Sequence, residues 1–186
     1  MATIYGTNSN DSLNGQAGND VLYGYAGNDI LSGLTGDDVL YGGDGADTLY
    51  GGADHDQLIG SAGNDFLNGN SGNDFLNGNA DNDLLNGNDG NDSLKGAAGY
   101  DTLRGGPGAD RFVFDSRSDE IDVITDFDHS EGDKIQISSY GFGTSSSSDF
   151  SYENDTGKLF YLGQEFAVLQ ANLAAGFVPS LDIIFV

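Results

Sequence analysis

The chain carries one large apolar residue at every ninth position, separated by polar residues and glycine. Counting from Gly6, twelve nine-residue units follow one another without insertion or deletion and end at Val113. The eighth position of each unit is Leu from Leu13 to Leu103 and becomes Phe112 in the last unit. This period fits neither a 3.6-residue helix nor a long alternating strand. It predicts one short strand per unit, over positions seven to nine, with the residue at position eight pointing inward.

Each predicted strand follows the pattern G-x-x-G-x-D, which supplies the polar chemistry of the unit. Position one is Gly and position six is Asp in every unit, while position four is Gly except at Ser9, Asp54 and Asp81. Because glycine permits positive φ and close backbone approach, this pattern predicts a tight turn whose carbonyl groups are free to face a ligand. Asp adds a hard anionic oxygen, and a ligand set made of oxygen alone favours Ca²⁺ over zinc or copper.

Two consecutive units predict one coil of 18 residues, with residue i stacked on residue i+18 in parallel strands about 4.8 Å apart. The expected fold is therefore an all-β, right-handed parallel β-roll. Successive aspartates would form two columns, one through Asp20, Asp38, Asp56 and Asp74 and the other through Asp11, Asp29, Asp47 and Asp65. Neighbouring like charges would cost on the order of 1 kcal/mol or more per pair even in a high dielectric, so the columns require a cation.

The repeat resembles the nonapeptide G-G-x-G-x-D-x-U-x of the repeats-in-toxin (RTX, hemolysin-type) family over residues 6–113. The resemblance implies a calcium turn in the first six residues of each unit, with the Asp carboxylate and backbone carbonyls near positions two and four as ligands. The implied carboxylate ligands are Asp11, Asp20, Asp29, Asp38, Asp47, Asp56, Asp65, Asp74, Asp83, Asp92, Asp101 and Asp110. The implied carbonyl ligands at position four are Gly18, Gly27, Gly36, Gly45, Gly63, Gly72, Gly90 and Gly99.

After Phe114 the period disappears and short strand-like runs follow, at residues 121–127, 134–137, 158–162, 166–169 and 182–186. They predict a C-terminal β cap over residues 114–186 that closes the roll of residues 1–113, as a stacked array requires. The stretch DVITDFDHSEGDKIQIS, residues 122–138, resembles the segment after the repeats in serralysin-type proteases and alginate epimerase modules. That resemblance implies one further calcium ion at Asp122 and Asp133. The alternative is that both are solvated loop acids.

The overall charge makes a cation the natural partner. Thirty acidic and six basic residues give a formal charge of −24, which excludes electrostatic binding to nucleic acid or to an anionic membrane surface. Twelve turns in two columns leave about five gaps per column, so roughly ten calcium ions are expected, with low ligand charge and weak individual sites. The chain has no Cys and no apolar run of about 20 residues, so it predicts neither a disulfide nor membrane insertion.

The compartment is predicted from the two ends of the sequence. Residues 1–5 lack the basic and apolar regions of an N-terminal signal. The C-terminal residues, Asp182 followed by Ile-Ile-Phe-Val, resemble the uncleaved signals that type I secretion systems read in RTX proteins. The resemblance implies a secreted, extracellular protein with the type I secretion apparatus as a partner. An edge strand of the cap is an equally compatible interpretation of the same residues.

No catalytic set emerges from the sequence. His55 and His129 lie outside any H-E-x-x-H motif, and no G-x-S-x-G motif is present, so we expect no enzyme activity. Three other interpretations stay open: a surface-adhesion or carbohydrate-contacting module, the C-terminal domain of a larger secreted enzyme or toxin, and an ice-binding roll. Outward tyrosines such as Tyr23 and Tyr41 suggest the first. A Thr at position three only at Thr35 argues against the last. The pattern predicts no oligomeric state.

Overall fold

The computed structural model describes residues 1–116, 120–153, 156–170 and 182–186, and the regular secondary structure of these residues is almost entirely β-strand. Thirteen strands lie between Thr3 and Phe114, within the repeat region and the residues next to its two ends. They are β1 (Thr3–Tyr5), β2 (Ser12–Asn14), β3 (Val21–Ala26), β4 (Ile30–Thr35), β5 (Val39–Asp44), β6 (Thr48–Ala53), β7 (Gln57–Ala62), β8 (Phe66–Ser71), β9 (Phe75–Ala80), β10 (Leu84–Asp89), β11 (Ser93–Ala98), β12 (Thr102–Arg104) and β13 (Arg111–Phe114).

These strands alternate between two parallel sheets. One sheet has the order β1-β3-β5-β7-β9-β11-β13 and the other contains β12-β10-β8-β6-β4-β2. Paired residues are 18 apart, as in Leu40↔Leu58 and Leu49↔Leu67. The predicted all-β parallel β-roll, with two units per coil, is therefore confirmed.

The core of the roll is a ladder of leucines between the two sheets. Each residue at position eight from Leu22 to Leu103, and then Phe112, has no exposed surface. Burying one such side chain contributes about 1.5–3 kcal/mol to stability. Each residue of the ladder therefore makes a similar contribution to the coil in which it lies. The predicted inward orientation of position eight is confirmed.

The strands are longer than the sequence predicted. From β3 to β11 each strand has six residues and covers positions seven to nine and then positions one to three of the next unit. Positions two and three pair with the next coil, as in Tyr25↔Gly43 and Ala26↔Asp44. The prediction that the strand occupies positions seven to nine alone was wrong. Backbone pairing between coils extends the strand, and the turn is confined to positions four to six.

The C-terminal residues extend both sheets. β14 (Asp122–Ile124) pairs with β12, β15 (Lys134–Ile137) pairs with β13, and β19 (Ile183–Phe185) pairs with β15. An antiparallel meander of β16 (Phe150–Glu153), β17 (Lys158–Tyr161) and β18 (Gln164–Leu169) joins the second sheet through β14. A short helix, α1 (Ser139–Phe142), and a 3₁₀ turn at Ser147–Asp149 precede the meander.

Aromatic side chains fill the space at this end of the roll. The rings of Phe142 and Phe150 lie within 5.9 Å of each other and of the rings of Tyr161 and Phe166, in edge and tilted contacts. Strand β16 was not predicted, because Phe150 and Tyr152 are its only strand-forming residues. The domain boundary at Val113 stays a prediction.

Candidate metal centre

The aspartates at position six form two continuous columns along the edges of the roll. In each column the backbone N–H of one aspartate donates to Oδ1 of the aspartate one coil later, as from Asp47 to Asp65 at 2.8 Å. The first column runs through Asp11, Asp29, Asp47, Asp65, Asp83, Asp101 and Asp122. The second runs through Asp20, Asp38, Asp56, Asp74, Asp92, Asp110 and Asp133. Asp122 and Asp133 thus continue the two columns into the cap.

The second oxygen of most column carboxylates is buried without a hydrogen-bond partner. Ten Oδ2 atoms share this property, those of Asp29, Asp38, Asp47, Asp56, Asp65, Asp74, Asp83, Asp92, Asp101 and Asp110. A buried polar atom left unpaired costs about 1–3 kcal/mol, and more when it is charged. A single unpaired Oδ2 atom would be a local defect, but the same unpaired atom in ten consecutive units indicates a ligand-binding position.

The glycine at position one lies against this oxygen. A methyl group placed on Gly60 would lie 2.2 Å from Asp65 Oδ2 and 2.9 Å from the carbonyl oxygen of Gly78, one coil later. Any side chain at position one would therefore collide with the carboxylate, which explains why this position is always Gly. The same geometry brings a backbone carbonyl at position one beside the carboxylate. Sequence reasoning did not include this carbonyl among the ligands.

The turn is held open by left-handed backbone at positions two and four. Position four has positive φ at every Gly implied as a ligand, and Asp54 (80°) and Asp81 (74°) keep this conformation. Position two has positive φ even where it is Tyr25 (78°) or Leu34 (85°). Such residues pay about 1–3 kcal/mol for this geometry, which persists only where neighbouring structure enforces it.

A second ladder, at position five, was missed by sequence analysis. The side-chain oxygen of each Asn accepts the backbone N–H of the residue one coil later, as from Asn82 to Asn64 at 3.0 Å. His55 substitutes for Asn in this ladder, since its Nδ1 accepts the N–H of Asn73 at 2.8 Å. The frequent Asn at position five was the available signal. These side-chain hydrogen bonds connect each turn to the turn one coil later.

Burial makes the column carboxylates hard to ionise in the absence of a cation. Desolvation, opposed by one backbone N–H and reinforced by the neighbouring carboxylate, raises the pKa of Asp65 to about 7. The same cause raises the pKa of Asp83 to about 8 and that of Asp47 to about 6. Asp20 differs, because N–H donors from Gln16 and Ala2 lower the pKa of its carboxyl. The interior of each column therefore favours either a proton or a metal ion at the carboxylate.

The residues present fit calcium. The unpaired groups are oxygen atoms, and the glycine cradle brings backbone carbonyls to the carboxylate, which is the ligand type that Ca²⁺ prefers. Across the described residues, no three His, Cys, Asp or Glu side chains converge as a metal cluster. Backbone carbonyl oxygens, such as that of Gly78 at the cradle of Gly60, are further protein oxygens that line these turns.

At the cap, the two implied ligands behave differently from the repeat aspartates. Asp133 Oδ1 accepts the N–H of Asp110 at 2.9 Å, and its Oδ2 accepts the N–H of Asp128 at 2.8 Å. Both oxygens of Asp133 are thus already engaged by the protein. Asp122 accepts the N–H of Asp101 at 3.1 Å. The further calcium ion at Asp122 and Asp133 stays a prediction.

Both histidines have structural partners. His55 belongs to the position-five ladder, and His129 Nδ1 lies 2.6 Å from the buried Asp182, which Lys134 also contacts at 3.0 Å. No helix among the described residues is both long and apolar enough to cross a membrane.

Repeated carboxylate turns along the edges of a parallel β-roll define a class of cation-binding repeat proteins. The family model for the RTX calcium-binding nonapeptide repeat matches residues 3–31, 23–58, 50–85, 59–94 and 86–121. The chain therefore belongs to the RTX calcium-binding nonapeptide repeat family. A search of curated proteins found no match.

Two solved structures are similar to this chain. The extracellular lipase LipA from Serratia marcescens matches with 16% identity and a TM-score of 0.41 over 99% of this chain and 40% of the lipase, so the chain spans less than half of the lipase's length. The AlgE6R3 subunit of the Azotobacter vinelandii mannuronan C5-epimerase matches with 28% identity and a TM-score of 0.44, over 76% of this chain and 78% of that one.

Proposed function

We propose that the chain is a calcium-dependent folding module whose ions lie between successive coils, beside the unpaired Oδ2 atoms of the two aspartate columns. The repetition of the same unpaired, buried oxygen in ten units, from Asp29 to Asp110, is the observation that carries the proposal. One ion per unpaired oxygen agrees with the roughly ten ions expected from the number of gaps between turns. The carbonyls at positions one, two and four are the proposed remaining ligands.

The distribution of charge supports a cation as the folding partner. No Lys or Arg precedes Lys95, so the acids of the first nine units, residues 6–86, have no Lys or Arg of their own to neutralise them. About ten divalent ions would bring a charge of about +20 against the formal −24. Neutralisation of the columns and folding of the coils would then be one event.

We also propose that the chain is secreted and folds outside the cell. Each site contains about one carboxylate, and sites of low ligand charge bind calcium with a Kd on the order of 10⁻⁴ to 10⁻³ M, as in extracellular modules. Such sites are empty in a calcium-poor cytoplasm and filled outside. An unfolded, self-repelling chain suits export by a type I secretion apparatus.

The C-terminal residues are compatible with both interpretations made from the sequence. Strand β19 pairs with β15, and Ile183 is buried against the cap. In the folded protein these residues are therefore an edge strand, so recognition by an exporter would precede folding. The boundary of the roll at Val113 and the role of residues 114–186 as a cap are part of the same proposal.

Adhesion through the tyrosines is less favoured. The rings of Tyr5, Tyr23 and Tyr41 stack on one another with centroids 5.5 and 4.9 Å apart and nearly parallel planes. Because Tyr23 lies between the other two rings, both of its faces are covered, and it does not present the flat aromatic surface on which a sugar ring stacks.

The proposal is tested by titrating calcium into chelated protein while far-UV circular dichroism records β-structure. We expect a disordered calcium-free chain that gains β-structure with Ca²⁺ and not with equimolar Mg²⁺, which demands small octahedral geometry. A roll that is fully folded in chelator would contradict calcium-dependent folding. A roll saturated at micromolar calcium would contradict the export model alone.

A further inference from the structure

The first coil differs from the others at the proposed ligand position. In units one and two, a backbone N–H at position two donates to Oδ2 of the aspartate, from Thr7 to Asp11 at 2.6 Å and from Gln16 to Asp20 at 2.7 Å. The hydroxyl of Thr7 also donates to Asp11 Oδ2, at 2.9 Å. In the following ten units the same oxygen has no partner. We call the first arrangement a closed turn and the second an open turn.

Two further features separate closed from open turns. Position two has positive φ in every unit from Tyr25 to Gly106, whereas Thr7 and Gln16 do not. A methyl group on Gly6 or Gly15 would lie 2.9 or 3.2 Å from the aspartate Oδ2, compared with 2.0–2.4 Å at position one of units three to twelve. In a closed turn the carboxylate has therefore moved away from the glycine cradle toward the N–H.

Among the described residues no coil packs beneath the first one, and this difference in packing accounts for the closed turns. Thr7 and Gln16 follow β1 and β2, which are the edge strands of their sheets at this end. From unit three onward, position two stacks on a preceding coil; a methyl on Gly43, for example, would lie 2.0 Å from the carbonyl oxygen of Tyr25. Positive φ is costly for most residues and needs neighbouring structure to hold it. Without that support, position two takes ordinary φ and its N–H reaches the carboxylate.

We infer that a turn of this roll binds calcium only when position two is stacked on a preceding coil, so that Asp11 and Asp20 belong to a calcium-free end coil and the row of ions begins at Asp29. This inference rests on the proposed function, because it presupposes that open turns bind calcium. It departs from the sequence expectation that the first two aspartates are ligands. The end coil then supports the left-handed backbone at position two of the next coil and so keeps the turns of that coil open.

The test counts bound calcium in the full chain by equilibrium dialysis and metal analysis at saturating calcium. Asp20→Asn should leave the count of the native protein unchanged, while Asp56→Asn, in the same column, should remove one ion. Both variants keep a side-chain oxygen that can accept the same backbone N–H, that of Ala2 at position 20 and that of Asp38 at position 56. Loss of one ion from Asp20→Asn as well would overturn the inference.

A second measurement separates stacking from simple fraying of the end. A copy of residues 24–41 inserted between Tyr5 and Gly6 places a complete coil beneath Gln16. In this extended chain, Asp20→Asn should now cost one ion at saturating calcium. If Asp20→Asn still costs no ion there, stacking does not control binding. A native chain that binds no calcium would instead refute the proposed function.

Discussion

Acid should partly replace calcium in folding this chain. Desolvation, only partly offset by the N–H of Asp47, raises the pKa of the buried Asp65 from 3.8 to about 7. Below about pH 4 the carboxyl is protonated in both the folded and the unfolded chain, so it contributes no pH dependence. Between about pH 4 and pH 7 the unfolded chain ionises first. The free energy of unfolding of the calcium-free roll therefore decreases as the pH rises, and the penalty is complete above about pH 7.

The size of the penalty explains why the effect should be visible. A pKa raised from 3.8 to about 7 destabilises the calcium-free fold by about 4 kcal/mol at neutral pH. Burial acts in the same direction on Asp47, Asp56, Asp83, Asp92 and Asp110. A typical domain is stable by only about 5–15 kcal/mol, so a few such groups are enough to unfold the roll.

The assay is far-UV circular dichroism of protein freed of calcium on a chelating resin and titrated from about pH 8 to about pH 5. The sequence pI of about 4.1 sets the lower end, because the uncharged chain precipitates. We expect β-structure to increase as the pH falls. With calcium present the trend should reverse, since protons compete with the metal for the same carboxylates and the apparent affinity should fall below about pH 7.

Two matched variants test whether the buried aspartate columns cause the pH dependence of calcium-free folding. Asp65→Asn removes the cost of burying one ionised carboxylate and keeps an acceptor for the N–H of Asp47. The pH midpoint of acid-induced folding of the calcium-free chain should therefore rise. Asp128→Asn is the control, because hydrogen bonds from Ser130 already lower the pKa of Asp128, and its removal should not raise the midpoint. A calcium-free chain that loses β-structure on acidification, or that is equally folded throughout, would refute this reasoning.

Three further predictions concern single parts of the molecule. Asp65→Ala should lower the apparent calcium affinity and the cooperativity of the titration; an unchanged midpoint and slope would show that Asp65 is not a ligand. Leu58→Ala in the fully buried ladder should destabilise the calcium-loaded roll by about 2–5 kcal/mol in denaturant unfolding, whereas a loss below about 0.5 kcal/mol would contradict a packed core. Truncation after Val113 exposes the last rung, so the remaining roll should need more calcium or aggregate, and calcium affinity equal to that of the full chain would argue against a capping role.

The sequence alone determined the features that repeat with the nine-residue period. A Leu at every ninth position predicted the buried ladder, and an Asp two residues before each Leu predicted the two columns on the edges of the roll. These inferences succeed because each unit has the same local conformation, so one unit specifies all the others. The chemistry of the columns followed from residue type, since closely spaced carboxylates beside flexible glycines favour calcium.

The tertiary structure decided what depends on the neighbouring coil. Stacking extended the strands across positions one to three and turned Asn64 and Asn82 into a hydrogen-bonded ladder. It also divided chemically identical aspartates into two groups, because Asp20 accepts the N–H of Gln16 while Asp38 keeps an unpaired oxygen. Units two and four both carry Gly and Asp in the required places. The backbone at Gln16 has no coil beneath it and the backbone at Leu34 has one, and this contact sets the sign of φ that opens or closes the turn.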